Sequence, residues 1–280
     1  MASWSRARVL FADIGAIRGN GSAVADPGGI MQQDGKVAII TGGARGFGRA
    51  FAERFVGEGV AVAILDRDRD AAEAVARCLT NAGGTAIAIP CDVADEMAVK
   101  DSIARAEVAL GGVDILINNA GLLTANYSKD FIKSTNAELR AVLEVNVIGV
   151  VNCTVAARDS MVRRGGGTIV NLSSIAGYSI AGPYGLSKLA VRGLTLAFAR
   201  ELAPDGIRVN AVAPGLMATE TVIADLPAEM VRHFREDLQL IKRPGLPEDI
   251  VDAVMFLCSD RASFVTGETL RVSGGFPLEV

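Results

Sequence analysis

Histidine is almost missing: one residue, His233, stands in a chain of 280. That excludes a multi-histidine metal site and leaves little room for a serine–histidine triad, so neither a metal centre nor imidazole chemistry is expected. Cysteine is sparse as well. Cys78, Cys91, Cys153 and Cys258 are scattered without a Cys-x-x-Cys spacing, and they read as small buried thiols of a cytoplasmic, reducing compartment. Basic residues are not in excess, since 28 Lys+Arg face 32 Asp+Glu for a net charge of −4, which argues against a nucleic-acid partner. Nor is there an unbroken run of about 18 apolar residues to span a membrane. The richest stretch, 141–157, is interrupted by Glu144, Asn146 and Asn152. Near the N-terminus Asp13 cuts short the apolar residues that follow Arg6 and Arg8, so no leader peptide is expected.

What the chain does have is apolar residues, 50% of the total, enough to bury a large core and to exclude bulk disorder. Residues 1–33 are rich in glycine and lack a sustained period, so they read as an extension outside the core, with Met31 a candidate start. Residues 34–280 read as one domain. Short β-branched runs (37–40, 60–65, 85–89, 115–117, 168–172, 207–212 and 269–272) alternate with amphipathic stretches such as 49–58, 68–82, 98–110, 137–162 and 187–202. Apolar strands separated by helices predict an α/β fold, a doubly wound parallel sheet with helices on both faces.

The first strand runs into Thr41-Gly42-Gly43-Ala44-Arg45-Gly46-Phe47-Gly48 and then a helix. Glycines there allow a sharp turn and close approach to a pyrophosphate, whose charge meets the free N–H groups of the helix. Taken alone the motif also suits a plain tight turn. Asp66 ends the second strand, where a carboxylate either accepts hydrogen bonds from an adenosine ribose or caps the next helix. In the first role it favours NAD over NADP by repelling a 2′-phosphate. Arg45 and Arg67 pull towards NADP, or else stack on adenine or face solvent.

Tyr184 alone among the three tyrosines has a lysine four residues on, Lys188. One helical face carries both, and a neighbouring ammonium favours the phenolate. Upstream, Ser173 and Ser174 end a strand, where hydroxyls face the crevice at the carboxyl edge of the sheet. Singly, each serine reads as a turn or cap.

Together these pieces resemble the short-chain dehydrogenase/reductase family from about Lys36 to Gly275. The matching segments are Thr41-Gly42-x3-Gly46-x-Gly48, Asp92-Val93, Asn118-Asn119-Ala120-Gly121, Asn146, Ser174, Tyr184-x3-Lys188 and Pro214-Gly215 with Thr219. The resemblance implies a Rossmann-type sheet of about seven strands and a homotetramer, with a dimer as the alternative. It also implies NAD, or second to it NADP, as coenzyme and a small alcohol or ketone as substrate. It places Gly42, Arg45, Gly46, Phe47, Gly48, Asp66, Arg67, Asp92, Val93, Asn119, Ala120, Gly121, Pro214, Gly215 and Thr219 at the coenzyme. Asp92 would meet adenine and Thr219 the carboxamide. Tyr184 would exchange a proton with the substrate oxygen, and Lys188 would lower the tyrosine pKa and bind the nicotinamide ribose. Ser174 would donate to the substrate oxygen, and Asn146 would hold a water leading from Lys188.

Two features depart from the family pattern. Ser174 lies ten residues before Tyr184, a short loop that keeps Ser173 as a rival, and Ser273-Gly274-Gly275 replaces the frequent Asp-Gly-Gly. Alternatives are an NADPH-dependent 3-oxoacyl-carrier-protein reductase, a sugar-nucleotide epimerase and a non-catalytic NAD sensor. The segment 216–243 is expected to cover the substrate. Pro227 would open a helix there, with Met230, Val231, Phe234 and Leu238 on one apolar face that either lines the pocket or packs on the domain.

Overall fold

The computed structural model describes residues 35–122, 129–180, 182–218 and 228–277, all within the unit Gln33–Val280. Thr219, Ile223, Pro227 and the extension 1–33 lie outside the described residues. Seven strands form one parallel sheet: β1 (Val37–Thr41), β2 (Ala61–Asp66), β3 (Ala86–Pro90), β4 (Ile115–Asn118), β5 (Gly167–Leu172), β6 (Ile207–Pro214) and β7 (Thr269–Val272). Their spatial order is β3-β2-β1-β4-β5-β6-β7. Every residue of β1 and β4 is buried, because helices cover both faces and leave no wet side for a polar alternation.

Between the strands run α1 (Gly46–Gly57), α2 (Arg69–Asn81), α3 (Glu96–Leu110), α4 (Asn136–Leu143), α5 (Gly149–Arg163), α6 (Ala176–Ser179), α7 (Gly182–Leu202), α8 (Ala228–His233) and α9 (Pro247–Cys258). Three starts come earlier than expected: α7 opens at Gly182, five residues before 187, and the other two have local reasons. The first helix begins inside the glycine loop at Gly46. The third begins at Glu96, where the Asp95 carboxylate accepts from the amides of Met97 and Ala98 at 2.9 and 3.0 Å, which satisfies two orphan donors of the first turn.

The stretch 137–162 is not one regular helix. A π-helical turn, Glu144–Ile148, joins α4 to α5. By length and composition alone, 136–163 is a stretch able to cross a membrane. Its polar side chains instead bond within the domain: Asn152 donates to the Val93 carbonyl at 2.9 Å and Thr154 accepts from Asn118 at 3.2 Å. Of the four cysteines, Cys91, Cys153 and Cys258 are buried, but Cys78 is exposed on α2, on the water-facing side of an amphipathic helix.

The chain runs outward from β1 to β3 and then returns to place β4 on the other side of β1. That reversal opens a crevice at the carboxyl ends of β1 and β4, the usual ligand position of such sheets.

Candidate active site

Around the crevice the glycine loop is held from both sides. The Gly42 amide donates to the Leu65 carbonyl at 2.7 Å. Thr41 Oγ1 accepts from the amides of Asn119 and Ala120, both at 3.0 Å. Asn119 Nδ2 returns bonds to the carbonyls of Thr41 and Gly42 at 2.9 and 3.0 Å. Asn119 and Ala120 therefore brace the loop. Gly42 takes φ 63°, and a Cβ on Gly48 would lie 2.1 Å from the Gly42 carbonyl oxygen, so only glycine permits this helix start.

The N-terminus of α1 has no side-chain cap, with Arg45 at the N-cap and no acid in the first turn. Its orphan N–H groups are thus available to an anion. Beside them the space over Gly46 is open, for a Cβ there would meet nothing within 4 Å. Phe47 is partly buried, its ring 6.4 Å from that of Phe51. Donors and space fit a dinucleotide pyrophosphate.

Asp66 is partly buried at the tip of β2. Its Oδ2 accepts from the Ala44 amide and its Oδ1 from the Asp68 amide, both at 3.0 Å. Each oxygen keeps a second lone pair for a ribose hydroxyl. The helix cap is a different residue: Asp68 is the N-cap of α2 and accepts from the Ala71 amide at 3.1 Å. Arg45 is ion-paired with Asp68, while Arg67 is exposed. Asp92 is exposed just beyond β3, its Oδ1 accepting from the Ala94 amide at 3.0 Å, and Val93 is buried beside it.

The two serines separate cleanly. Ser173 is buried and its hydroxyl donates to the Lys188 carbonyl at 2.9 Å, which leaves it to hold α7 against the sheet. Ser174 Oγ accepts from the Ala176 amide at 3.1 Å and is close enough to the Tyr184 hydroxyl to draw its pKa down. Behind them Asn118 donates to Asn171 across β4 and β5 at 2.9 Å, and Asn171 to Thr195 of α7 at 3.0 Å. That buried ladder ties the helix carrying Tyr184 and Lys188 to the sheet. Such a ladder rigidifies a site because each member would be costly to orphan.

Lys188 is 5% exposed and its Nζ donates to the Leu172 carbonyl at 2.7 Å, 5.7 Å from the centre of the Tyr184 ring. The expected lowering of the phenol is not the state of the protein alone. Burial pushes Tyr184 up to about 12, against which Ser174 pulls down, and burial brings Lys188 down to about 8. With the Leu172 carbonyl beside it but no anion among the described residues, the ammonium recovers only part of what it loses on leaving water, and burial sets both shifts.

Asn146 lies in the π turn and is buried. Its Oδ1 accepts from the Leu122 amide at 2.7 Å, and its Nδ2 donates to Ser187 Oγ at 3.0 Å. One lone pair of Oδ1 remains for a water. A Cβ on Gly121 would be 3.3 Å from that oxygen and 3.6 Å from Lys188 Nζ, so both groups border the same space.

The lysine shift predicts a pH effect on stability. Between about 8 and the ordinary 10.5 the folded chain binds fewer protons at Lys188 than the unfolded one, so stability rises with pH across that window. Relative to Lys188→Met, which has no such group, the wild type should gain up to about 3 kcal/mol from about pH 7 to about pH 10.5. Urea unfolding of both proteins across the range measures it, and a constant difference contradicts it.

Pro214 ends β6, and the Gly215 amide donates to the Val272 carbonyl at 2.9 Å. A Cβ on Gly215 would sit 2.7 Å from the Ser273 Cα and 2.9 Å from its Cβ, so this turn fits only because Gly215 has no side chain. Beyond it the expected apolar face is split. Val231, Phe234 and Leu238 are partly buried, but Met230 is exposed. A π-helical turn over Phe234–Leu238 changes the repeat, and the Phe234 ring meets Phe276 edge-on at 5.6 Å.

Sequence reading missed Asp68 as cap and ion-pair partner, Ser187 as the support of Asn146, and Thr41 Oγ1 as the clamp on Asn119. The Asp68-Arg69-Asp70 cap signal was available; the other two contacts join residues 41 and 78 positions apart.

A family model described as enoyl-(acyl carrier protein) reductase matches residues 42–277. An uncharacterized oxidoreductase of Mycobacterium tuberculosis is 43% identical over 243 residues, covering 86% of this chain and 97% of that protein. The 3alpha-hydroxysteroid dehydrogenase of Mediterraneibacter gnavus is 40% identical over 250 residues, 87% of this chain and 98% of its own. The solved structure of a 7 alpha-hydroxysteroid dehydrogenase complexed with NADH and 7-oxo glycochenodeoxycholic acid is similar at a TM-score of 0.83. It is 34% identical and covers 88% of this chain and 96% of that one. With the fold, the glycine loop and the Ser174–Tyr184–Lys188 arrangement in hand, the chain belongs to the short-chain dehydrogenase/reductase family of oxidoreductases.

Proposed function

We propose that this oxidoreductase interconverts a largely apolar secondary alcohol and its ketone, with NAD(H) as coenzyme. The observation that carries the reading is that Ser174, close enough to draw the Tyr184 pKa down, and Tyr184 stand beside a buried Lys188. A substrate oxygen placed between the two hydroxyls receives a hydrogen bond from Ser174 Oγ, which steadies charge as it develops. In oxidation Tyr184 Oη takes the hydroxyl proton; in reduction it returns one. A bound nicotinamide supplies or accepts the hydride at the adjacent carbon. Lys188, once charged, favours the phenolate and offers its ammonium to the nicotinamide ribose. Asn146 orders a water through which that ammonium exchanges protons with solvent.

Asp66 supports NAD(H), because a carboxylate at the ribose repels a 2′-phosphate. The apolar substrate class rests on Leu216 and Val231 in the segment after β6 and on similarity to two hydroxysteroid dehydrogenases. A homotetramer belongs to the same reading: Val155 and Val162 of α5 and Leu196 of α7 stand exposed, apolar area that a second copy would cover.

The test is a panel of secondary alcohols and ketones of increasing carbon number, assayed at 340 nm with NAD(H) and NADP(H). KM should fall along the series and NAD(H) should give the higher kcat/KM. Better rates with polyols, or a preference for NADPH, overturn the respective part. Ser174→Ala should lower kcat by about 10² or more. Ser173→Ala should act mainly on stability, and the reverse ranking would exchange their roles.

A further inference from the structure

We infer that Asp68 is a coenzyme-selectivity residue that acts by holding Arg45 away from the adenosine ribose. The inference rests on the NAD reading above but concerns a residue that the reading does not use.

The glycine loop carries a guanidinium at Arg45, its side chain 76% exposed. It sits at the N-cap of α1, two residues before Phe47 and beside the Ala44 amide that bonds Asp66. A cation there faces the carboxylate expected to repel a 2′-phosphate, and free it would attract that phosphate through charge-assisted, two-pronged hydrogen bonds. In the structure it is not free. Its guanidinium bonds Asp68 Oδ2.

Asp68 is itself fixed at three points. Its backbone amide donates to Asp66 Oδ1 at 3.0 Å, its Oδ1 accepts from the Ala71 amide at 3.1 Å, and its Oδ2 takes Arg45. A carboxylate already ordered as a helix cap loses little freedom when it pairs, so this exposed ion pair is better organised than most. Asp66 and Asp68 thus form a relay from the loop to the cap. One acid is at the ribose position, and the second neutralises the cation that would counter it. Arg67, exposed and without an ion-pair partner among the described residues, keeps its charge whatever Asp68 does.

The probes are 2′,5′-ADP and 5′-AMP, which differ only by the 2′-phosphate. Isothermal titration of each reads the contribution of that group without turnover. Asp68→Asn keeps a good cap and removes the charge. It should tighten 2′,5′-ADP relative to 5′-AMP by about fivefold or more. In an Arg45→Ala background the same change should move the ratio less than about twofold, and in an Arg67→Ala background it should act in full. An unchanged ratio in Asp68→Asn overturns the inference. So does an equal gain with and without Arg45, since that would be simple loss of repulsion.

Asp68→Ser repeats the cycle with a second capping side chain, and a melting temperature for each variant reports the fold. A wild type that prefers NADPH would defeat the coenzyme reading. Failure of the Arg45–Asp68 coupling would defeat this inference alone.

Discussion

Tyr184→Phe is expected to lower kcat by about 10³ or more, the upper part of the range for loss of a general acid–base, while changing NADH affinity by less than about threefold. The substitution removes one oxygen from a site whose frame it does not touch. Ser174 keeps its bond to the Ala176 amide, and Lys188 keeps its bond to the Leu172 carbonyl. Neither is left orphaned, so the variant should fold. The phenol is held up at about 12 by burial, so in the wild type the phenolate must be drawn out by charge arriving with the coenzyme and a charged Lys188. The acid limb of the oxidation profile should therefore shift to higher pH in Lys188→Met. Stopped-flow turnover with calorimetric binding separates the two effects. A phenylalanine variant retaining a tenth of wild-type kcat would remove Tyr184 from the proton transfer.

Gly48→Ala should cost about 100-fold in coenzyme affinity, or about 2.7 kcal/mol. The added methyl would stand 2.1 Å from the Gly42 oxygen and 2.6 Å from Asn119 Nδ2. The first is loop backbone, which cannot swing aside as a flexible side chain does, and the second is the amide that braces the loop. Relief requires α1 to move off the loop, which spoils the alignment of its N–H groups with a pyrophosphate. Thermal stability should fall as well, by about 1–3 kcal/mol as for other overpacked sites. The control is Gly57→Ala at the other end of the same helix, where a Cβ would meet nothing within 4 Å. It should bind coenzyme as the wild type does. Equal affinities of the Gly48 and Gly57 variants would show that the loop does not need its close approach.

Much of this architecture was written in local pattern. The alternation of β-branched runs with amphipathic stretches placed all seven strands within a residue or two, because strands buried on both faces must be apolar throughout. The Tyr184–Lys188 spacing put both side chains on one helical face. Less legible were features without a period. The short helix Ala176–Ser179 has only four residues, too few to show a repeat. The π turns at Glu144–Ile148 and Phe234–Leu238 change the hydrogen-bond step without changing composition, so a reading by 3.6-residue spacing runs straight through them.

The sequence by itself determined the fold class, the glycine loop before the first helix and the pairing of a tyrosine with a lysine, since each depends on neighbours within about ten residues. Tertiary structure decided which serine faces the tyrosine. Ser173 and Ser174 are adjacent and chemically identical, and only the packing of α7 assigns one hydroxyl to the Lys188 carbonyl and the other to Tyr184. It decided the direction of the phenol and ammonium pKa shifts too. Spacing reports that two charges are close, but burial sets what each loses by leaving water. And it decided the partner of Arg45, 23 residues away in Asp68, because β1 and β2 lie side by side in the sheet and bring their two following turns together at one edge.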